Sequence, residues 1–330
     1  MILFRCDSSH RIGTGHVIRC IHLAKMLRES GKEVHFLCRT DEGNINERIV
    51  NEGFQLHPLD SAAPNQSDLA LISELKPQWL IIDSYEIQKS WEEKVPSGIK
   101  IFVIDDLMNR EHHCQVLLDQ NFRKNSRKYQ QLVSADTKLL LGPQYCLLSS
   151  DLERSTALSL SKPPYKVLVF FGGTDSTGES LKFLEALKKS QTKLKFTLVV
   201  LSSHKNLEAV QNSSLPSQVT LKVDPSDWFD LLRQHDLYLG SGGTVTWERM
   251  YLGLPGAVIS VASNQDEPSR DLSEAGYQVY FGPASQINYR EVLISVEKLF
   301  DKPTELTEMS RRGLSLVSRF SKELVKEIFD

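Results

Sequence analysis

His16 stands directly behind Gly13-Thr14-Gly15, where a strand-like start, Met1-Ile2-Leu3-Phe4-Arg5, gives way to an amphipathic run. Glycines at a strand-to-helix turn let backbone approach a ligand closely, and a helix N-terminus carries roughly half a positive charge. A neutral imidazole with an ordinary pKa of ~6.5 can take a proton from water, which makes His16 a candidate general base. It reads equally well as a helix-terminus histidine that bonds only locally. A dinucleotide site is a poor reading. No GxGxxG precedes the helix, and the second strand ends Phe36-Leu37-Cys38-Arg39 without the acid such a site wants. Carboxylates close three strand-like runs, at Asp83, Asp105 with Asp106, and Asp119. Such residues serve as caps or turn formers or as site acids. Asp83 is the sharper candidate because Tyr85, with a ring face and a hydroxyl, follows two residues later.

The second half offers a different chemistry. Phe171-Gly172-Gly173-Thr174-Asp175 is a glycine turn after a strand, readable as a phosphate cradle or as a tight turn. Ser241-Gly242-Gly243-Thr244 is stronger, because glycines and hydroxyl residues meet at a helix start, where bare amides can hold a pyrophosphate. Glu248, one turn further on, suits the two hydroxyls of a ribose; read simply, it complements the helix dipole. Asn264-Gln265 follows the next strand-like run and faces the same end.

These residues need strands that end together. Strand-like runs alternate with amphipathic segments throughout, the pattern of an α/β architecture with parallel sheets. Strands are predicted near 1–6, 33–38, 54–57, 79–83, 100–105, 115–119 and 138–142. After a break they recur near 166–171, 195–201, 218–223, 236–240, 256–260 and 278–281. Helices are predicted over 16–30, 44–51, 68–75, 177–189, 226–233, 244–252, 266–275 and 289–300. Gly31 is the C-cap of the first, and a helical tail covers 304–330. The polar stretch 149–164 closes on two prolines and marks the boundary between domains 1–150 and 151–330, with the tail helices packing back toward the first. Two such halves put a cleft between them, with ligands outside the carboxyl ends of the strands.

Composition narrows the partners. The chain has 330 residues, 39 basic against 42 acidic, and a formal net charge of −3, so no broad basic surface marks nucleic acid or membrane as a partner. No apolar run reaches the ~18 residues of a membrane span, and no leader precedes the first strand. Five cysteines, odd in number and without a CxxC, point to reduced thiols and a cytoplasmic protein. Seven of nine histidines lie in the first half, but His112-His113-Cys114 has no second ligand pair at zinc-like spacing. The expectation is a monomer with no metal, no other cofactor and no membrane insertion.

Taken in order, the motifs resemble a known family. They are Arg5-x-Asp7-Ser8-Ser9 with Ile12-Gly13-Thr14-Gly15-His16-Val17-x-Arg19-Cys20, then Asp83-x-Tyr85, Val103-Ile104-Asp105-Asp106-Leu107, Leu118-Asp119-Gln120-Asn121 and Leu141-Gly142-Pro143-x-Tyr145. Phe171-Gly172-Gly173-x-Asp175, Gly242-Gly243-Thr244-x-x-Trp247-Glu248 and Asn264-Gln265 complete the set. The chain resembles the nucleotide-sugar hydrolases of pseudaminic acid synthesis, the UDP-2,4-diacetamido-2,4,6-trideoxy-β-L-altropyranose hydrolases. These are similar to the two-domain GT-B glycosyltransferases, including the enzyme that makes lipid II. The resemblance implies two Rossmann-like domains facing across a cleft, the first carrying the catalytic His16 and the second binding UDP. It implies a substrate site of Asp7, Gly13, Thr14, Gly15, Arg19 and Tyr85 in the first domain. In the second it implies Gly173, Ser241, Gly242, Gly243, Thr244, Glu248, Asn264 and Gln265.

The implied reaction is hydrolysis of the anomeric C–O bond of a UDP-linked diacetamido-trideoxy sugar, with inversion. UDP is a good leaving group, since a phosphate monoester has a second pKa of roughly 6. One departure stands out: after Gly142-Pro143-x-Tyr145 the family commonly has Leu-Leu-Arg, and here Ser149 follows Leu147-Leu148. A GT-B glycosyltransferase using a UDP-acetamido sugar, and a nucleotide-sugar sensor without turnover, are the rival readings.

Overall fold

In the first strand every residue is buried, and alternate side chains enter different cores. Ile2, Phe4 and Cys6 join one hydrophobic cluster while Leu3 joins another. This two-faced burial is what a parallel sheet covered by helices on both sides demands, and it explains why the strands read as continuous apolar runs. The computed structural model describes residues 1–60 and 66–330.

The chain divides into two compact units, one of residues 1–150 with 319–330, the other of residues 151–318. The first unit contains β1 (Ile2–Cys6), β2 (Val34–Arg39), β3 (Gln55–Leu59), β4 (Trp79–Asp83), β5 (Lys100–Ile104), β6 (Val116–Asp119) and β7 (Lys138–Leu141). Its helices begin with α1 (Gly15–Glu29), α2 (Asn46–Asn51), α3 (Gln66–Leu75) and α4 (Lys89–Glu92). The strands form one parallel sheet in the order β3-β2-β1-β4-β5-β6-β7. Gly31, at φ +80°, follows α1 in the left-handed region and donates its N–H to the Arg28 carbonyl.

The second unit contains α5 (Glu179–Leu187), α6 (Leu207–Gln211), α7 (Trp228–Gln234), α8 (Thr244–Tyr251), α9 (Asp266–Glu274), α10 (Tyr289–Phe300) and α11 (Pro303–Leu316). Its strands are β8 (Lys166–Phe170), β9 (Lys195–Val200), β10 (Val219–Val223), β11 (Leu237–Ser241), β12 (Gly256–Ser260) and β13 (Val279–Pro283). They form a parallel sheet in the order β10-β9-β8-β11-β12-β13. Each sheet reverses its winding once. The switch falls between β1 and β4 in the first unit and between β8 and β11 in the second. At such a point the loops after two neighbouring strands turn to opposite faces and leave a crevice at the carboxyl ends.

The tail departs from the single helical stretch the sequence suggests. Helix α11 ends at Leu316, and a second helix, α12 (Lys322–Phe329), begins after Ser321, whose hydroxyl accepts the Leu324 N–H. Between them Phe320 donates its N–H to the Cys146 carbonyl at 2.8 Å, and its ring is buried in the first unit's core. Val325, Ile328 and Phe329 complete that core. Phe329 lies 5.1 Å from the Trp79 ring and 5.6 Å from that of Phe102. The second unit therefore ends at Ser318, short of residue 330. Among the described residues no helix is long and apolar enough to cross a membrane.

Candidate active site

The switch point of the first unit holds His16. It is the second residue of α1, and Asp83 is the last of β4, directly paired with Cys6 across the sheet. His16 Nδ1 lies 2.5 Å from Asp83 Oδ1. Arg19, one turn along α1 on the same face, donates from Nε to Asp83 Oδ2 and from Nη2 to Asp83 Oδ1, both at 2.6 Å, and from Nη1 to Asp106 Oδ2 at 2.9 Å. Cys20 adds a thiol contact to Asp83 Oδ2 at 3.6 Å. Burial alone would drive the Asp83 carboxyl toward neutrality. The charge of Arg19, aided by His16, instead holds it well below the usual carboxylate range.

An ionised Asp83 can only accept hydrogen bonds, so the proton of His16 resides on Nδ1 and the Nε2 lone pair is left as the basic one. Tyr85 abuts the imidazole edge-on at 4.5 Å between ring centroids. Burial and the neighbouring charge of Asp106, to which its hydroxyl bonds, push that hydroxyl above its ordinary value. It is thus a neutral O–H throughout the physiological range.

The glycine loop ahead of His16 is built by its own backbone. Gly13, at φ +84°, donates to the Ser9 carbonyl at 2.8 Å, and Ser9 Oγ accepts from the Arg11 and Ile12 amides. A side chain at Gly13 would meet no atom within 4 Å, so the positive φ rather than crowding demands glycine there. Thr14 precedes the helix without capping it, and no acid lies in the first turn. The amides at Gly15 and His16 therefore have no side-chain cap.

Asp7 and Arg19 are placed among charges. Asp7 accepts from Arg39 N at 2.8 Å and Arg39 Nε at 2.9 Å, and pairs with Arg5 Nη1 at 2.7 Å. Arg5 itself is fully buried in β1 and also reaches Asp68 Oδ2 at 2.9 Å. Arg19 spends three of its N–H groups on two carboxylates. Both side chains organise the loop and the base in this structure. The carboxylates of Asp105 and Asp119 lie deeper, bridged by the Tyr129 hydroxyl at 2.8 Å and 3.0 Å. His112 is engaged with Glu92 at 2.7 Å. Among the described residues no three histidine, cysteine, aspartate or glutamate side chains are arranged to hold a metal ion.

The switch point of the second unit is glycine and hydroxyl. Strand β11 runs into Ser241-Gly242-Gly243, and α8 starts at Thr244 with no side-chain cap from Gly243 and no acid in its first turn. Gly240 must be glycine, since a Cβ would stand 1.9 Å from the Phe170 carbonyl oxygen. A Cβ on Gly242 would come within 2.8 Å of Ser269 Oγ and 3.7 Å of the Gln265 Cβ, which places Gln265 against the cradle. Gln265 also accepts the Val261 N–H at 3.1 Å. Asn264 sits beside it in the same short turn after β12. Ser241 Oγ lies 3.5 Å from where a Gly172 Cβ would be, so the turns after β8 and β11 meet.

Of the two readings of that β8 turn, the structure supports the tight turn. Asp175 accepts the Glu179 and Ser180 amides, both at 2.8 Å, and so caps α5 with a carboxylate where a phosphate would have to bind. Gly173 is buried in this turn, its carbonyl accepting from Ser203 Oγ at 2.9 Å. Glu248 is buried on α8 and accepts the indole N–H of Trp228 at 2.9 Å. Trp228 was not among the candidates. Its only signal in the sequence is its place just after β10, behind Asp224-Pro225-Ser226-Asp227.

Two parallel sheets with flanking helices, each with one switch point, make this a GT-B fold. It is shared with the crystal structure of Acinetobacter baumannii MurG (TM-score 0.66, 14% identity, 99% of this chain and 98% of that one). It is shared also with the spinosyn rhamnosyltransferase SpnG complexed with thymidine diphosphate (TM-score 0.62, 14% identity, the whole of both chains). In sequence the chain is distantly homologous to the UDP-2,4-diacetamido-2,4,6-trideoxy-β-L-altropyranose hydrolase of Campylobacter jejuni, at 29% identity over 283 residues, 85% of this chain and 98% of the relative. The spore coat polysaccharide biosynthesis protein SpsG of Bacillus subtilis is 20% identical over 320 residues, 94% of this chain and 92% of SpsG. No family model matches the chain. The chain is thus related to enzymes of nucleotide-sugar chemistry.

Proposed function

We propose that this protein hydrolyses a UDP-linked diacetamido-trideoxy sugar to free sugar and UDP, with inversion at the anomeric carbon, as a step of pseudaminic acid biosynthesis. The observation that carries the reading is the Arg19–Asp83–His16 chain. It is the arrangement that fixes an imidazole tautomer and leaves Nε2 free to accept a proton from water. The homology to the Campylobacter jejuni hydrolase supports the substrate class.

In the reaction a water oxygen forms a bond to the anomeric carbon as the bond from that carbon to the β-phosphate oxygen breaks. The electron pair of the broken bond leaves with UDP. The water proton passes to His16 Nε2 and then to solvent, while Nδ1–H stays on Asp83. The imidazolium formed in this step is stabilised by the Asp83 charge, which Arg19 keeps ionised. The departing diphosphate needs donors rather than an acid. The Thr244 amide at the start of α8 and the hydroxyls of Ser241 and Thr244 supply them. Glu248 takes the ribose hydroxyls, and Asn264, Gln265 and Gly242 line the nucleotide side. Tyr85 contacts the sugar beside His16. Asp7, Gly13 and Arg19 act on the site by holding its loop and base.

A time course by NMR with a panel of UDP-diacetamido-trideoxy sugars, and no acceptor present, tests this. The expected result is release of one anomer of one sugar together with UDP. Sugar transfer that starts only when an acceptor is added would identify a GT-B glycosyltransferase instead.

A further inference from the structure

We infer that Trp228 is a positioning residue that sets how strongly the site prefers a ribonucleotide, by fixing the carboxylate of Glu248. This rests on the assignment of Glu248 to the ribose hydroxyls made above. The indole is held at two points. Its N–H donates to Glu248 Oε2 at 2.9 Å, and its ring meets the Phe170 ring edge-on, 5.1 Å between centroids at 61°. Phe170 is itself tied in, since its carbonyl accepts the Tyr238 hydroxyl at 2.7 Å, and the same hydroxyl reaches the Ser241 carbonyl at 2.9 Å. The carboxylate is thus linked, through one indole and one ring, to the strand ends that carry the cradle.

Glu248 lies four residues after Thr244 on α8, one turn along the same helix face. A glutamate side chain has three rotatable bonds, and in a buried setting an anchored oxygen removes most of their freedom. Trp228 is only half-buried, so the anchor stands near the surface rather than in the core.

Titration of the full-length protein with UDP and with 2′-deoxy-UDP tests the inference. The variants are Trp228→Phe, which keeps the ring and loses the N–H, and Glu248→Gln. Wild type is expected to prefer UDP. Trp228→Phe should narrow that preference by about three- to tenfold, the range of one ordinary hydrogen bond, with affinity for inorganic pyrophosphate unchanged. An intact preference in Trp228→Phe beside a lost one in Glu248→Gln overturns the role of Trp228 alone. An intact preference in Glu248→Gln overturns the ribose assignment of Glu248 and this inference with it. Should Trp228→Phe not fold, Phe170→Leu, which frees the indole while keeping its N–H, decides by the same ratio.

Discussion

At the ends of β1 and β4 the first unit buries arginines against carboxylates. Arg5, Arg19 and Arg39 are paired with Asp7, Asp68, Asp83 and Asp106. At the ends of β8 and β11 the second unit presents glycines and hydroxyls, with Asp175 capping α5 and Glu248 accepting the N–H of a neutral indole. The sheet topology around the two switch points is the same. Under the proposed function the difference follows from what each handles. A base must sit in one tautomer and one rotamer, which compensated charges enforce. An anion must find donors whose charge is not already spent. A phosphate would gain little from Arg19, whose charge is already shared by Asp83 and Asp106.

Breaking each side separately gives the largest effects. His16→Ala should lower turnover by roughly 10²–10⁴-fold, the range of general-base catalysis, and leave UDP affinity unchanged. Gly242→Ala should do the reverse. Its Cβ would stand 2.8 Å from Ser269 Oγ, so UDP affinity should fall by about tenfold with little effect on the rate of the bound complex. Calorimetric titration and single-turnover kinetics separate the two. If either variant lost binding and chemistry together, the division of labour would fail.

Asp83→Asn sharpens the first side. The variant keeps the shape and strands the buried Arg19 charge, leaving His16 without an anion. Activity should fall by about 10²-fold, and stability by roughly 3 kcal/mol, as expected when one partner of a buried ion pair is removed. Urea unfolding and turnover measure these. A variant as stable as wild type would show that Arg19 does not depend on Asp83.

The smallest effect concerns Asp119. Burial pushes its carboxyl up to about 6, against the opposing charge of Arg123. The folded protein therefore keeps this proton to higher pH than the unfolded chain, whose aspartates titrate at ~4. Its contribution to stability is fully present below pH ~4 and is lost as pH rises through about 6. Asp119→Asn should remove that slope, seen as a wild-type-minus-variant stability difference that changes between pH 4 and 7. A difference flat across that range would refute the assignment.

Much of the framework was legible because strands buried on both faces are apolar at every position. Val167 to Phe171 and Trp79 to Ile82 announce themselves without any partner. His16, the cradle at Ser241 to Thr244, and Asp83 beside Tyr85 were legible from strand ends followed by glycine or by polar side chains. What a side chain bonds across the fold was not. Arg19 reads as a ligand contact until the fold brings Asp83, 64 positions away, to its Nε. Asp175 reads as part of a phosphate loop until it is seen accepting the amides of α5. Trp228 shows no local pattern, because its meaning lies in Glu248, 20 residues further on. The split of the tail is illegible in the sequence for the same reason. Residues 317–321 contain neither proline nor glycine, and the helix yields there because Phe320 belongs to a core made by the other end of the chain.

That last feature bears on the order in which the molecule is made. Residues 319–330 are translated after the whole of the second unit, yet they supply Phe320, Val325, Ile328 and Phe329 to the core of the first. Domains generally fold as units while the chain is being synthesised. The second unit can thus finish before the first. Until its last strip of apolar surface arrives, the earlier half leaves Trp79 and Phe102 without the ring of Phe329. On a ribosome the nascent protein would pass through a stage in which the second unit is complete while the first still lacks part of its core.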